Sequence, residues 1–228
     1  MQAGSMSAPK QLVIIGAGEF AQIACEYFQH DSHYTVVAFS VERDFLLQHT
    51  LAELPVVAYE ELEQRYPPEQ YEVFVAIPAT RLNRLRTRFF QDVVQRGYRC
   101  ATYVSSRAFV WHNAQIGANC FIFEGNVIQP FTRIGDNCVL WSGNHIGHRT
   151  AVRDHVFIAS HAVISGYCEI GQGSFIGVNA TLSDKVHIAA NNIIGAGALV
   201  TRHTEAERVY VGSPARAVAG RSSFDVEL

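Results

Sequence analysis

Histidine is the side chain best suited to moving protons near neutral pH. Four of the ten in this chain, His145, His148, His155 and His161, fall within 17 residues. Taken singly, each reads as a solvated turn residue. No Ser/His/Asp arrangement for nucleophilic catalysis stands out beside them. The five cysteines, Cys25, Cys100, Cys120, Cys138 and Cys168, are odd in number and lack CxxC spacing. That pattern excludes a zinc knuckle or a disulfide scaffold and fits free thiols in a reducing cytoplasm. What the histidines can do depends on the elements that hold them.

Those elements repeat every six residues. Positions 104, 110, 116 and onward to 200 are all Val, Ile or Leu, 17 consecutive matches without an insertion. Four residues after most of these lies a small side chain, among them Ala108, Cys120, Thr132, Cys138, Ala162 and Ala198. An aliphatic residue every six with a small one at the bend suits a coil of three short strands per turn. One coil cannot bury its own apolar face, so stacked coils form the core. Three hexapeptides per turn set residue n against residue n+18.

Three flat faces follow, and the residue before each aliphatic match points outward. On the first face these are Tyr103, Phe121, Val139, Phe157, Phe175 and Ile193. On the second they are Phe109, Val127, His145, Val163, Thr181 and Leu199, and on the third Gln115, Arg133, Ala151, Glu169 and His187. Two faces are thus apolar outside as well as inside, which marks an interface. Two such faces sharing an edge suit a closed threefold ring, so a homotrimer is expected. The competing account is that the N-terminal domain covers one of them.

His148 lies two residues past Ile146, at the corner between the second and third faces, while His145 points outward on the second. His161 falls at a different corner, where packing is its expected role. One turn beyond His148 stands Gly166. A glycine there lets a carbonyl approach the backbone, and its N–H could stabilise an oxyanion.

The first hundred residues alternate strand and helix. Leu12 to Ile15 is an apolar run ending in Gly16-Ala17-Gly18, and a helical segment follows from Glu19 to Phe28. β-rich runs cover Thr35 to Val41, Val56 to Ala58 and Val73 to Ile77. Helical patterns cover Tyr59 to Tyr66 and Thr80 to Arg96, and the whole implies βαβ units with a parallel sheet. The glycine turn sits where backbone N–H groups can hold an anion. A dinucleotide site is disfavoured, because Ser40 stands where an acid should end the second strand. Charged residues make up 17% of the chain, against about 25% in ordinary globular proteins. Residues 104–200 hold only 10 of the 39. A net charge of −3 offers no bulk grip on nucleic acid or anionic membrane. No apolar run approaches a membrane span. Gln2-Ala3-Gly4-Ser5 before Met6 reads as an appended start.

A βαβ domain with a Gly-Ala-Gly turn followed by hexapeptides containing Ile146-Gly147-His148 resembles the bacterial sugar acyltransferases. These include the bacillosamine and perosamine N-acetyltransferases and the sialic acid O-acetyltransferases. Ile176-Gly177-Val178-Asn179-Ala180, Ile194-Gly195-Ala196-Gly197-Ala198 and Val209-Tyr210-Val211-Gly212-Ser213-Pro214-Ala215-Arg216 extend the likeness. The resemblance implies a Rossmann-like α/β N-terminal domain followed by a left-handed parallel β-helix of hexapeptide repeats. It implies acetyl-CoA as cosubstrate, a nucleotide-linked sugar as acceptor and His148 as general base; His145, outward on the second face, is a secondary candidate on position alone. It also implies the Gly166 N–H as oxyanion donor, and acyl-CoA running past Phe157, Gly166, Val178, Ala196 and Arg216. The nucleotide-sugar would lie at Gly16, Ala17, Gly18, Ser40, Val41 and Pro78. Many members follow the base with an acid, but Arg149 stands here, and a guanidinium suits a phosphate instead.

The domain boundaries expected are a start over 1–10, a nucleotide-sugar domain over 11–103, the β-helix over 104–204 and an extension over 205–228. The expected function is N-acylation of a nucleotide-linked amino sugar in the cytoplasm, with sugar O-acetylation as its rival. A zinc site of the γ-carbonic anhydrase type needs two histidines separated by four residues. The intervals here are two, six and five, so no metal is expected. A non-enzymatic solenoid is disfavoured by the nucleotide-type domain ahead of the repeat.

Overall fold

The computed structural model describes residues 10–228, so the start expected over 1–10 lies, apart from Lys10, outside the described residues. The chain divides into two compact units. One holds the residues up to Ala76 together with Asp92–Ala101, and the other holds Ile77–Gln91 with Thr102–Leu228. The segment 77–91 therefore falls with the second unit, not with the N-terminal domain expected over 11–103.

In the first unit β1 (Lys10–Ile15) leads through the glycine turn into α1 (Glu19–His30), followed by β2 (Tyr34–Val41), β3 (Thr50–Leu51) and β4 (Leu54–Ala58). A 3₁₀ turn, Tyr59–Glu61, runs into the single-turn helix α2 (Leu62–Arg65), and β5 (Glu72–Val75) closes the sheet. The strand order is β3-β4-β2-β1-β5. Only the β3–β4 pair is antiparallel. Leu12, Val13, Ile14, Val73, Phe74 and Val75 are all fully buried, as continuous apolar runs in a parallel sheet require. The turn from β1 into α1 therefore opens beyond the carboxyl ends of the strands.

In the second unit 17 two-residue strands between Tyr103–Val104 and Leu199–Val200 stack as a left-handed parallel β-helix with three faces. Every pairing within a face joins residues 18 apart, as in Val127↔His145↔Val163. The aliphatic positions from Ile122 through Val200 are buried and form one continuous core. From Asn119 through Gly197 the chain turns each corner with a left-handed residue three positions after the aliphatic one, such as Asn137, Gly143 and Asn179. Glycine and asparagine tolerate that conformation best. The first face is extended by Arg208–Gly212, parallel to Ile193–Ile194, and then by antiparallel Ala215–Ser222.

Three features depart from the sequence reading. The helix expected over Thr80 to Arg96 begins only at Arg84 and runs to Gln95 as α3 (Arg84–Gln95). It is preceded by three consecutive left-handed residues, Arg81, Leu82 and Asn83. Asn83 is buried and donates its amide to the Gly173 carbonyl at 3.0 Å, and Leu82 packs on Ile193 and Val209. Docking of this short stretch outweighs helix propensity. Secondly, the outward residues of the first face are not an open surface. Tyr103, Phe121 and Val139 are fully buried and Ile193 nearly so. Leu82, Arg86 and Phe90 of the preceding segment lie on this side of the helix. One of the two faces expected to bind neighbouring subunits is thus covered within the chain.

Thirdly, Arg86 is fully buried. Its guanidinium donates to the carbonyls of Ile77 at 3.2 Å, Asn137 at 3.3 Å, and His155 and Val156 at 3.5 Å. It lies over the Phe157 ring, and burial pulls its pKa down to about 10. No carboxylate is among these partners. The arginine pins α3 to the corners of the coil by backbone oxygens alone.

Candidate active site

The corner between the second and third faces carries a column of residues two positions past the aliphatic matches: Pro130, His148, Gly166 and Asp184, each one turn from the next. His148 is exposed and Gly166 buried. A Cβ on Gly166 would fall 2.6 Å from His148 Cε1 and 3.0 Å from both ring nitrogens. Ordinary carbon contacts need about 3.5–4.0 Å. The imidazole therefore lies flat against the space a side chain at 166 would fill, and glycine is required for it to stay there. The His148 backbone N–H donates to Gln129 Oε1 at 3.0 Å, and its carbonyl accepts from the Tyr167 N–H at 2.9 Å. The Tyr167 ring stands nearly perpendicular to the imidazole, with centroids 5.1 Å apart. Backbone and ring are thus both fixed, while the face of the imidazole remains open to solvent.

The Gly166 N–H donates to Asp184 Oδ1 at 3.0 Å. The same corner cap recurs elsewhere in the coil, where the Ala118 and Asp136 N–H groups donate to Asp136 and Asp154 carboxylates. The donor expected to meet an oxyanion is therefore engaged by a carboxylate, and an acyl oxygen must displace Asp184 to use it. The n+18 spacing that locates Gly166 also reaches Asp184, but it does not disclose that the carboxylate turns back to cap the Gly166 N–H.

The remaining residues are distributed around the molecule. His145 is half-buried on the second face between Val127 and Val163. Val178 and Ala196 are exposed, one turn apart, at the corner between the first and second faces. That is the opposite edge of the second face from His148. His161 shares this corner with its ring beneath Gly143, whose absent Cβ leaves it room. Phe157 does not line a groove. It is only 7% exposed, stacked on Phe175 and covered by Arg86. Outward direction on a coil does not disclose what else packs on that face. Arg216 is exposed on the last strand, where Nη1 donates only to the adjacent Ala215 carbonyl.

In the first unit Gly16 has a positive φ of 122°, and a Cβ there would meet the Ala76 carbonyl oxygen at 2.8 Å. Its N–H donates to the Ser40 carbonyl at 2.8 Å, which closes the turn onto β2. Ala17, Gly18 and Val41 line a crevice of about 450 Å³ with Phe45, Leu47, Gln48 and Val56. Gly18 caps α1 without any side-chain bond, so the helix N-terminus offers backbone donors to an anion. Ser40 is fully buried with its hydroxyl unpaired, and its backbone carbonyl, not its side chain, holds the turn. Pro78 is exposed and belongs to the second unit. The apolar flank of Phe45 and Leu47 is absent from the sequence reading, since nothing in a short irregular loop announces which residues will border a turn 28 residues earlier.

Among the described residues no group of three or more His, Cys, Asp or Glu side chains is arranged to hold a metal. No helix among them is long and apolar enough to cross a membrane.

The bacterial transferase hexapeptide family (six repeats) matches residues 113–148, 131–166 and 167–202. No curated protein matches the chain. Among solved structures, the acetyltransferase domain of PglB from Neisseria gonorrhoeae is similar with a TM-score of 0.83 at 24% identity, covering 92% of this chain and 100% of that one. PerB from Caulobacter crescentus in complex with CoA and GDP-perosamine is similar with a TM-score of 0.83 at 24% identity, covering 92% of this chain and 97% of that one. WeeI from Acinetobacter baumannii aligns with a TM-score of 0.74 at 22% identity over 92% of this chain and 100% of that one. The chain thus carries the bacterial transferase hexapeptide repeat over residues 113–202 and has the fold of these proteins.

Proposed function

We propose that this protein transfers an acyl group, with acetyl-CoA as donor, to the amine of a nucleotide-linked sugar. The observation that carries this reading is the open imidazole of His148 laid against the side-chain-free space at Gly166, at a corner of a coil otherwise built from aliphatic rungs. His148 takes the proton from the amine as its nitrogen attacks the thioester carbonyl. The C–N bond forms, the carbonyl oxygen becomes an oxyanion, and collapse breaks the C–S bond. CoA leaves as a thiolate and recovers the proton from the imidazolium. The Gly166 N–H serves the oxyanion once the acyl oxygen has displaced Asp184. Fixing amine and thioester side by side supplies the entropic part of the acceleration.

The crevice at Ala17, Gly18 and Val41, headed by the free N-terminus of α1, suits the phosphates of a nucleotide-sugar, in keeping with the GDP-perosamine bound in PerB. Acyl-CoA is assigned to the Val178 and Ala196 edge. That edge and His148 lie on opposite margins of the second face, roughly 16–20 Å apart for a six-residue side. A single copy cannot offer both to one thioester. In a homotrimer the His148 edge of one copy meets the Val178 edge of the next, burying the second face, where Phe109 is 52% and Val163 44% exposed. We place the reaction in the cytoplasm, where acyl-CoA is made and where the five free cysteines stay reduced.

The test is release of free thiol from acetyl-CoA across a panel of nucleotide-linked amino sugars and their hydroxyl counterparts. Acceptor-dependent release with at least one amino sugar supports the reading. Release with none of them, by a protein of native fold, overturns it.

A further inference from the structure

Beside the His148 column runs a second one that none of the proposed chemistry uses. Phe131, Arg149, Tyr167 and Lys185 stand one turn apart, each in the left-handed conformation with φ between 58° and 62°. Corresponding positions at the other two corners are Gly125, Gly143, His161, Asn179 and Gly197, and Asn119, Asn137, His155, Gly173 and Asn191. There glycine and asparagine dominate, as the backbone prefers. Only at the His148 corner are all four left-handed positions occupied by aromatic or cationic side chains. Strain retained where a small residue would relieve it points to function.

All four side chains are exposed. The Arg149 guanidinium lies 4.4 Å over the Phe131 ring, which holds its planar fork in place. Tyr167 abuts the His148 imidazole. The nearest carboxylate in sequence, Asp184, is committed to the Gly166 N–H. Two cations interleaved with two aromatic rings therefore form a rail about 14 Å long at the strand spacing of a sheet. A phosphorylated molecule with flat or extended parts fits such a rail, because guanidinium and ammonium groups bind phosphate oxygens and ring faces take the remainder.

We infer that Phe131, Arg149, Tyr167 and Lys185 form a phosphate-binding rail that seats one of the two phosphorylated substrates beside His148. The inference rests on the acyl-transfer reading only for the choice of ligands. The phosphates belong either to CoA or to the nucleoside diphosphate of the acceptor, the latter then seated here in place of the Gly18 crevice, and the two are separable by titration.

The test uses the full chain with Arg149 and Lys185 both changed to Asn, the residue the other corners carry. CoA, GDP and UDP are titrated into parent and variant by calorimetry, and melting is recorded for both. A loss of about tenfold in affinity for CoA, or for the nucleoside diphosphates, is expected from removing two charged partners. The melting temperature should stay at or above the parent's, since Asn relieves the left-handed strain. A loss confined to CoA assigns the rail to the donor, and a loss confined to GDP or UDP assigns it to the acceptor. Affinities within twofold of the parent for all three ligands overturn the rail. So does weaker binding accompanied by a lower melting temperature, which marks a structural role. Parent protein that binds none of the three overturns both the rail and the proposed function. Intact rail behaviour without acyl transfer overturns only the reaction.

Discussion

Replacing Gly166 by Ala tests the geometry of the site at one atom. The added Cβ would lie 2.6 Å from His148 Cε1 and 3.0 Å from each ring nitrogen. A relaxed contact needs about 3.6 Å, so the imidazole must move by about 1 Å. Gly166 does not have a positive φ, so alanine brings no backbone strain, and the obstructing atoms belong to an exposed ring that can yield toward solvent at the cost of its contact with Tyr167. The fold should survive while the base is displaced. A misplacement of about 1 Å at a reacting group costs about a hundredfold in rate. The assay is thiol release from acetyl-CoA with the best acceptor of the panel, alongside thermal melting. The expected result is a fall in kcat of about a hundredfold with a melting temperature close to the parent's. A Gly166→Ala protein that melts normally and retains activity within threefold of the parent would refute the placement of His148 as the base.

Other outcomes follow from the same structure. Arg86→Ala should destabilise the protein by about 3–5 kcal/mol in urea unfolding, because it opens a cavity and strips buried carbonyls of their donor; a loss below about 1 kcal/mol would mean the arginine is not the pin described. Asn137 Nδ2 lies 3.0 Å from His155 Nδ1, which requires that nitrogen to be unprotonated. Burial, the largest influence, lowers the His155 pKa from 6.5. The unfolded chain thus binds the proton more readily, and stability should fall as pH drops below about 6.5 toward the lower folded value. His155→Asn, which continues the asparagine column of that corner, should flatten the decline in melting temperature between pH 7 and pH 5, and an unchanged decline would contradict the assignment. For assembly, light scattering of the parent at micromolar concentration should give three times the chain mass, and Val163→Glu on the open second face should shift it toward monomer. A monomeric parent would refute the intersubunit site.

The period-six pattern made the coil legible because each rung is a local event: an aliphatic residue enters the core regardless of what lies elsewhere, and n+18 stacking follows. The same arithmetic placed His148 against Gly166. The Asn and Gly residues that dominate the third position after the aliphatic ones at two of the three corners are also a signal of the left-handed turns, one that the small residues a position later obscure. What the sequence did not disclose is non-local. Phe157 looked solvent-facing because its neighbours in the repeat say nothing about Leu82 or Arg86, which reach its face from a different part of the chain. Arg86 itself reads as the polar side of an amphipathic helix, and only the carbonyls of Asn137, His155 and Val156 explain its burial. Phe45 enters the site for a similar reason, since the turn at Gly16 closes on the Ser40 backbone and leaves the later loop to border the crevice.

The central claim is that His148 accepts the proton of the attacking amine. Its most direct test is thiol release from acetyl-CoA by parent and His148→Ala proteins, with an acceptor that the parent turns over and with folding checked by melting. Loss of at least about a hundredfold in kcat is the result expected for removal of a general base. A correctly folded His148→Ala protein that keeps most of the parent's activity would contradict the account.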